Sequence, residues 1–207
     1  MEKKIIITIA RQYGSGGREI GERVAAALNI PIYDKLLITE VASKGNLNEE
    51  VIKKADESAA NSLLYTLAVG SNTLGAAMHF GYKMPLSDKL FILQSDVIKE
   101  YAQNGSGVFI GRCADYVLRD EPNILRIFIY GDLDHRQERV MKRHPELKSS
   151  QIIDAINKTD KRRSTYYNFY TGNKWGKYDN YDLAINSSTL GIEGTANLIC
   201  EFARKMM

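Results

Sequence analysis

Cysteine is scarce in this sequence, and what there is stands alone. Cys113 and Cys200 are the only 2 cysteines and show no CxxC or Cys/His spacing, so neither a disulfide framework nor a zinc site is expected. Long hydrophobic runs are also missing. The stretch "IIITIA" near the start is too short for a signal-peptide core, and nothing approaches the roughly 18 apolar residues of a membrane span. A cytoplasmic protein without a membrane partner is the expectation. Charge of one sign is lacking too: 28 Lys and Arg face 25 Asp and Glu, for a net charge of +3. That balance favours an anionic ligand slightly and is too small to mark a nucleic-acid protein. There is no internal repeat and no low-complexity tract.

What is present is the composition of an ordinary globular chain, 207 residues with 44% hydrophobic and 26% charged, enough to bury a core as one domain carrying insertions. Continuous β-branched runs at 5–10, 30–33, 107–111, 124–130 and 181–186 have the character of parallel strands buried on both faces. Helical periodicity predicts helices over 18–28, 35–43, 48–69, 87–104, 132–144, 149–170 and 191–206. Strand and helix in alternation give an α/β fold, a parallel five-stranded sheet flanked by helices. Two intervals, 35–104 and 145–180, are too long for simple crossovers and are read as helical insertions, with a loop over 70–85.

In such sheets ligands bind at the carboxyl ends of the strands, so the loops after the strands carry the function. The first is "RQYGSGGREIG" over residues 11–21. Gly14, Gly16 and Gly17 allow backbone N–H groups to converge on phosphate oxygens, and the helix that follows adds its positive end. Yet the lysine and hydroxyl of an ordinary phosphate loop are missing. Aligned on GxxxxGK(S/T), Gln12 stands at the first glycine, Arg18 replaces the lysine and Glu19 replaces the Mg²⁺-binding hydroxyl. Ser15 is the nearest hydroxyl in the loop. A dinucleotide fingerprint fits less well, because Glu19 sits where its last glycine belongs.

The second loop follows "GVFIG" with Arg112, which stands where a guanidinium can hold a phosphate by two hydrogen bonds. Asp115 reads as a first-turn helix acid. Arg136, Arg139 and Arg143 share one helical face, for which a solvated surface is the simplest account. Further on, Lys158, Lys161, Arg162 and Arg163 crowd together ahead of seven aromatics from Tyr166 to Tyr181. Two readings cover that segment, a single-strand nucleic-acid surface and a mobile lid bringing cations over a triphosphate.

The order "IIITIARQYGSGGREIG", "YDKLL", "LFILQSDVIKEYA", "GVFIGRCADYVL", "ILRIFIYGDLDHRQERVMKRH", "DKRRSTYYNFYTGNKWGKYDNYDLAINSS" resembles the cytidylate kinase-like family, a branch beside the phosphate-loop nucleoside monophosphate kinases, over essentially the whole chain. The resemblance implies a core of 1–34, 105–148 and 181–207, a helical acceptor-binding insert at 35–104 and a lid at 149–180. It places donor phosphates on Gly14 to Arg18, the acceptor on part of 35–104 with Gly111 and Arg112, and lid cations on Lys161, Arg162 or Arg163. The aspartate that follows the glycine-arginine pair in the family is Cys113 here.

The expected reaction is ATP-dependent phosphoryl transfer to a nucleoside monophosphate or similar small phosphorylated acceptor. Such chemistry asks a protein to align donor and acceptor and neutralise charge, with no side-chain nucleophile. Arg18, Arg112, Arg162 and Arg163 are the expected catalytic cations. Gly14, Ser15, Gly16, Gly17, Arg18 and Glu19 form the expected ATP site. Asp34 is assigned to orient an acceptor group or a Mg²⁺-bound water, or to cap a helix, and Asp160 to position the neighbouring arginines. ATP and Mg²⁺ are the expected cofactors, and nucleic acid is not the expected partner. A nucleotide-binding sensor without turnover and a single-strand nucleic-acid binder are the alternatives.

Overall fold

The computed structural model describes residues 3–34 and 85–207. The helices expected over 35–43 and 48–69, and nearly all of the 70–85 loop, lie outside the described residues. Five strands form one parallel sheet: β1 (Ile6–Arg11), β2 (Ile32–Tyr33), β3 (Gly107–Ile110), β4 (Ile124–Tyr130) and β5 (Leu183–Asn186), in the spatial order β2-β3-β1-β4-β5. Ile6 is in register with Gly107 on one side and Ile124 on the other, which makes β1 the central strand. The chain leaves β1 toward β2 and β3, then reverses toward β4 and β5. The loop after β1 therefore opens at the point where strand order reverses, the place where open α/β sheets hold their ligands.

The helices are α1 (Gly17–Leu28), α2 (Leu86–Gln103), α3 (Ala114–Val117), α4 (Leu133–Arg143), α5 (Ser149–Thr171) and α6 (Ser187–Met206), with a 3₁₀ turn at Tyr178–Asn180. The runs read as strands are strands because both faces are covered. Ile5, Ile7, Ile9, Val108, Ile110, Leu125, Ile127 and Ile129 point to one face and pack under α1 and α6, through Ile20, Val24, Ile199 and Ala203. Ile6 and Phe109 point to the other and pack under α2 and α3, through Leu90, Ile98, Val117 and Leu118. Full burial of each such side chain contributes about 1.5–3 kcal/mol, so the middle of the sheet is the stable base beneath the loops.

Two elements differ from the sequence reading. Helix α6 begins at Ser187, ahead of the expected start at 191, and its first turn is set off from the rest by a kink at Gly191, where φ is 65°. Asn186 caps its start by accepting the Ser188 amide at 3.0 Å. The short helix α3 is not among the expected helices, since four residues carry no readable period. Among the described residues no helix is long and apolar enough to cross a membrane.

Helix α5 bridges the two halves of the sheet's carboxyl edge. Its N-terminal half packs Ile152 and Ile156 against Val140 of α4. Its C-terminal half and the segment after it carry the aromatics, and apart from the exposed Tyr178 several of them are used in packing: Tyr170 stacks on Phe91 of α2 at 4.1 Å and donates its hydroxyl to Asp88 at 2.9 Å. Phe128 meets Trp175 edge-on at 5.2 Å and Tyr181 at 5.1 Å. Rings engaged in this way are not a free stacking platform for bases.

Candidate active site

β1 ends at Arg11, and the chain turns through Gln12–Gly16 into α1. Gly14 and Gly16 have φ of 84° and 79°, a left-handed backbone that side chains rarely adopt. At Gly16 a Cβ would also overlap Cδ1 of Ile192 on α6. Gly17 answers a different need, because a Cβ there would lie 2.6 Å from the Cβ of Arg11. Gly16, Gly17 and Arg18, at the positive N-terminal end of α1, line the cleft. Ser15 is only 2% exposed, and its hydroxyl lies 2.9 Å from the Gln12 carbonyl and 3.2 Å from that of Ile129. Its hydrogen thus goes to the backbone beneath the loop.

The middle of the loop is held from outside. The Tyr13 N–H donates to Asp160 at 2.7 Å, the Tyr13 carbonyl accepts from Arg136 Nε at 2.8 Å, and Arg136 Nη2 pairs with the other oxygen of Asp160. Asp160 thus sits where it orients an arginine, and that arginine is Arg136. The solvated-face account of α4 is corrected here: Arg136 is 6% exposed and fills the space under Gly14, whose Cβ would come within 2.7 Å of its carbonyl. Helical spacing places a residue on a face and says nothing of what that face meets.

Arg18 projects from the first turn of α1, 57% exposed, pairing with Glu22 at 3.0 Å and Asp34 at 2.9 Å. Two residues assigned to opposite ligands are therefore joined at the mouth of the loop. Glu19 points away from them and pairs with Arg139 at 2.6 Å. The hydrogen bond from Arg139, opposed by partial desolvation, holds the Glu19 carboxyl below its ordinary range.

Across the switch point, Gly111, Arg112 and Cys113 follow β3 with φ of 74°, 57° and 55°. Two consecutive non-glycine residues in the left-handed region carry strain of about 1–3 kcal/mol each, a feature concentrated at ligand sites. The turn directs Arg112 toward α5, where its guanidinium lies 5.4 Å from the Tyr166 ring centre. Next to it, Asp115 is 7% exposed and accepts the Tyr167 hydroxyl at 2.7 Å. Burial raises the Asp115 pKa against that hydrogen bond, and burial with the nearby Asp115 charge pushes the Cys113 thiol well up.

Two clefts result. One, of about 250 Å³, is lined by the glycine loop with Arg11, Arg18, Asp34, Arg143 and Arg163. The other, of about 150 Å³, is lined by Arg11, Arg112, Asp115, Arg162, Arg163 and Trp175 among others. Gly14, Gly16, Gly17, Arg18 and Asp34 are brought together around the first, Arg112 and Arg162 around the second, and Arg163 reaches both. Arg163 donates to the Arg11 carbonyl at 2.8 Å and lies 5.7 Å from the Tyr13 ring centre. Sequence reading alone passes over Arg11. Its signal is the same as Arg112's, an arginine at the carboxyl end of a buried strand, hidden by its place at the edge of a glycine motif.

Among the described residues the site gathers several cations. Burial together with Arg163 and Arg112 pushes the Arg11 pKa down to about 9, partly countered by Asp34. Burial also lowers Arg163, against Asp160. A surface crowded in this way favours a bound anion, and phosphate oxygens match the guanidinium fork.

The family model of the cytidylate kinase-like family matches residues 6–189. The chain belongs to the cytidylate kinase-like family. No curated protein matches the chain by sequence. A crystal structure of an uncharacterized protein from Eubacterium ventriosum is similar at 28% identity and a TM-score of 0.73, covering 97% of this chain and 98% of that one. Shikimate kinase from Bacteroides thetaiotaomicron shares the fold at 12% identity and a TM-score of 0.53, covering 97% and 98%. A Thermus thermophilus protein does so at 14% identity and a TM-score of 0.52, with the same coverage. The cytidylate kinase-like chain thus has the nucleoside monophosphate kinase-like α/β fold. Family and fold together support phosphoryl transfer as the reaction class.

Proposed function

We propose that this protein is an ATP-dependent kinase that transfers the γ-phosphoryl group to a nucleoside monophosphate or similar small phosphorylated acceptor. The observation that carries the reading is the pair of adjoining clefts, one under a glycine loop and one under Arg112, walled in common by Arg11 and Arg163. The donor phosphates lie against the amides of Gly14 to Gly17 with Arg18 at their side. The acceptor phosphate is held by Arg112. Arg162 and Arg163 bring cations from the 149–180 segment, the proposed lid, and Asp160 fixes the loop rather than the acceptor. Alignment and charge neutralisation are then the whole task of the protein side chains.

Mg²⁺ fits this arrangement in the way it usually meets phosphate, through one or two carboxylates, substrate oxygens and several waters. Among the described residues Asp34 is the carboxylate on the wall of the loop cleft; on exchanging its Arg18 partner for the ion, it would hold Mg²⁺ together with the donor phosphates. When bound, Mg²⁺ supplies charge neutralisation across the β- and γ-phosphates. Glu19, turned to Arg139, is not assigned to it.

A sensor without turnover is favoured by one observation, that the loop's own hydroxyl, on Ser15, is committed to backbone carbonyls. Turnover separates the two. With ATP, Mg²⁺ and a panel of monophosphorylated acceptors, the kinase reading expects acceptor-dependent ADP release. Arg112→Ala should reduce that release by about 100-fold or more, as loss of a phosphate clamp does. Tight ATP binding with no ADP release under any acceptor would establish the sensor instead.

A further inference from the structure

The position of the missing loop lysine, at Arg18, is the obvious place to look for its replacement, yet Arg18 is exposed and bridges Glu22 and Asp34 at the outer rim. Arg11 is placed differently. It leaves the end of the central strand and lines both clefts. Its stem passes over Gly17, where a Cβ would sit 2.6 Å from the Arg11 Cβ. Its guanidinium ends over Gly111, where a Cβ would overlap Nη1. Two glycines, one opening α1 after β1 and one in the turn after β3, thus leave room for a single side chain.

The charges of the described residues do not balance a cation held there. Arg163 and Arg112 both act on Arg11 as like charges, and Arg18 adds a smaller repulsion. Among the described residues Asp34 is the carboxylate whose charge reaches Arg11, and it is already bridged to Arg18 at 2.9 Å. Asp160, the carboxylate acting on Arg163, is held by Arg136 and the Tyr13 amide. Clustered cations whose nearby carboxylates serve other partners are stable when a multiply charged anion joins them.

We infer that Arg11, seated by Gly17 and Gly111, binds a phosphate oxygen at the junction of the two clefts and so takes the bridging role of the absent loop lysine, with Arg163 as its partner. This rests on the phosphoryl-transfer reading for its place in a reaction, while the anion seat itself does not. Reach explains the choice of residue. A lysine at position 18 would approach the phosphates from the helix, whereas Arg11 approaches from the strand beneath them. An arginine fork can contact oxygens on both sides of the junction at once.

The test is calorimetric titration of the full chain with inorganic tripolyphosphate, which needs no turnover, beside ADP release with ATP and acceptor. Arg11→Met keeps much of the stem and removes the charge; Arg11→Lys keeps the charge and removes the fork. Arg119→Met is the control, at an exposed arginine that contacts Asp120 and Tyr116 away from both clefts. The inference expects tripolyphosphate affinity to fall by about tenfold or more in Arg11→Met, with Arg11→Lys in between and the control unchanged. Affinity equal to wild type in Arg11→Met overturns it. Should Arg11→Met fail to fold, Arg11→Lys decides alone, and wild-type affinity in that variant overturns the bidentate seat. Arg11-dependent tripolyphosphate binding without ADP release for any acceptor would overturn the kinase reading and leave the anion seat standing.

Discussion

The amide of Tyr13, in the middle of the glycine loop, is hydrogen-bonded at 2.7 Å to Asp160, 147 positions away on α5. Asp160 also carries the ion pair with Arg136, which in turn holds the Tyr13 carbonyl. The loop is thus held by two helices that lie more than 100 residues further along the sequence.

Asp160→Ala removes the shared acceptor and leaves the Arg136 guanidinium, 8% exposed, without its carboxylate. Breaking a buried pair from one side costs about 3–5 kcal/mol, so urea unfolding should show a loss near the lower bound, with weaker ATP binding. Asp160→Asn, which still accepts the Tyr13 amide, should lose less. Equal stabilities for wild type and Asp160→Ala would mean the ring does not hold the loop.

Gly16→Val should abolish ATP binding. Its φ of 79° is strained for any side chain, so the loop must move, and the branched side chain would stand among the amides that receive phosphate. Calorimetry on folded variant, checked by circular dichroism, is the measurement. Unchanged affinity would take the loop out of the site.

Arg18→Ala is expected to leave stability within about 1 kcal/mol, because its ion pairs are exposed. Its effect should be on turnover, a loss of about 1–2 kcal/mol in transition-state stabilisation with little change in ATP affinity. Steady-state kinetics decide it, and a loss larger than that of Arg11→Met would return the lysine's role to Arg18.

Asp115 supplies a pH dependence with a definite sign. Its pKa is raised above 3.8 by burial, so between the unfolded and folded values the native state binds more protons. Stability from this group is therefore full below the unfolded pKa and declines as pH rises through the folded one. Asp115→Asn keeps an acceptor for the Tyr167 hydroxyl and removes the ionisation. Its urea midpoint relative to wild type should climb as pH is raised from below to above the ordinary aspartate range. A constant difference across that range would show that Asp115 ionises as it does in the unfolded chain.

The sheet was legible because parallel strands covered on both faces write an unbroken β-branched run, as "IIITIA" and "ILRIFIY" do. Helices α1, α2, α4 and α5 were legible nearly to their ends because each spans several turns with one apolar stripe. The glycine loop and Arg112 could be placed at the clefts of the carboxyl edge from their position after strands. Ser15, Arg11 and Arg136 were not assigned as the structure has them, because a pattern of residue types does not say which way a side chain turns. Ser15 turns under the loop, Arg136 turns inward from a helix that is polar elsewhere, and Arg11 is threaded between two glycines far apart in sequence. The basic aromatic stretch fits two readings in sequence; the contacts of Phe91 with Tyr170 and of Phe128 with Trp175 put those rings in the packing of the fold, while Tyr178 stays exposed.

The central claim is transfer of a phosphoryl group between two clefts, and phosphorus NMR follows that group directly. With ATP, Mg²⁺ and each monophosphorylated acceptor in turn, the account predicts for at least one acceptor the matched appearance of ADP and a new acceptor phosphoanhydride, both diminished together in Arg112→Ala and Arg11→Met. Inorganic phosphate as the sole product beside ADP, or intact ATP with every acceptor despite occupancy of the loop, would contradict it.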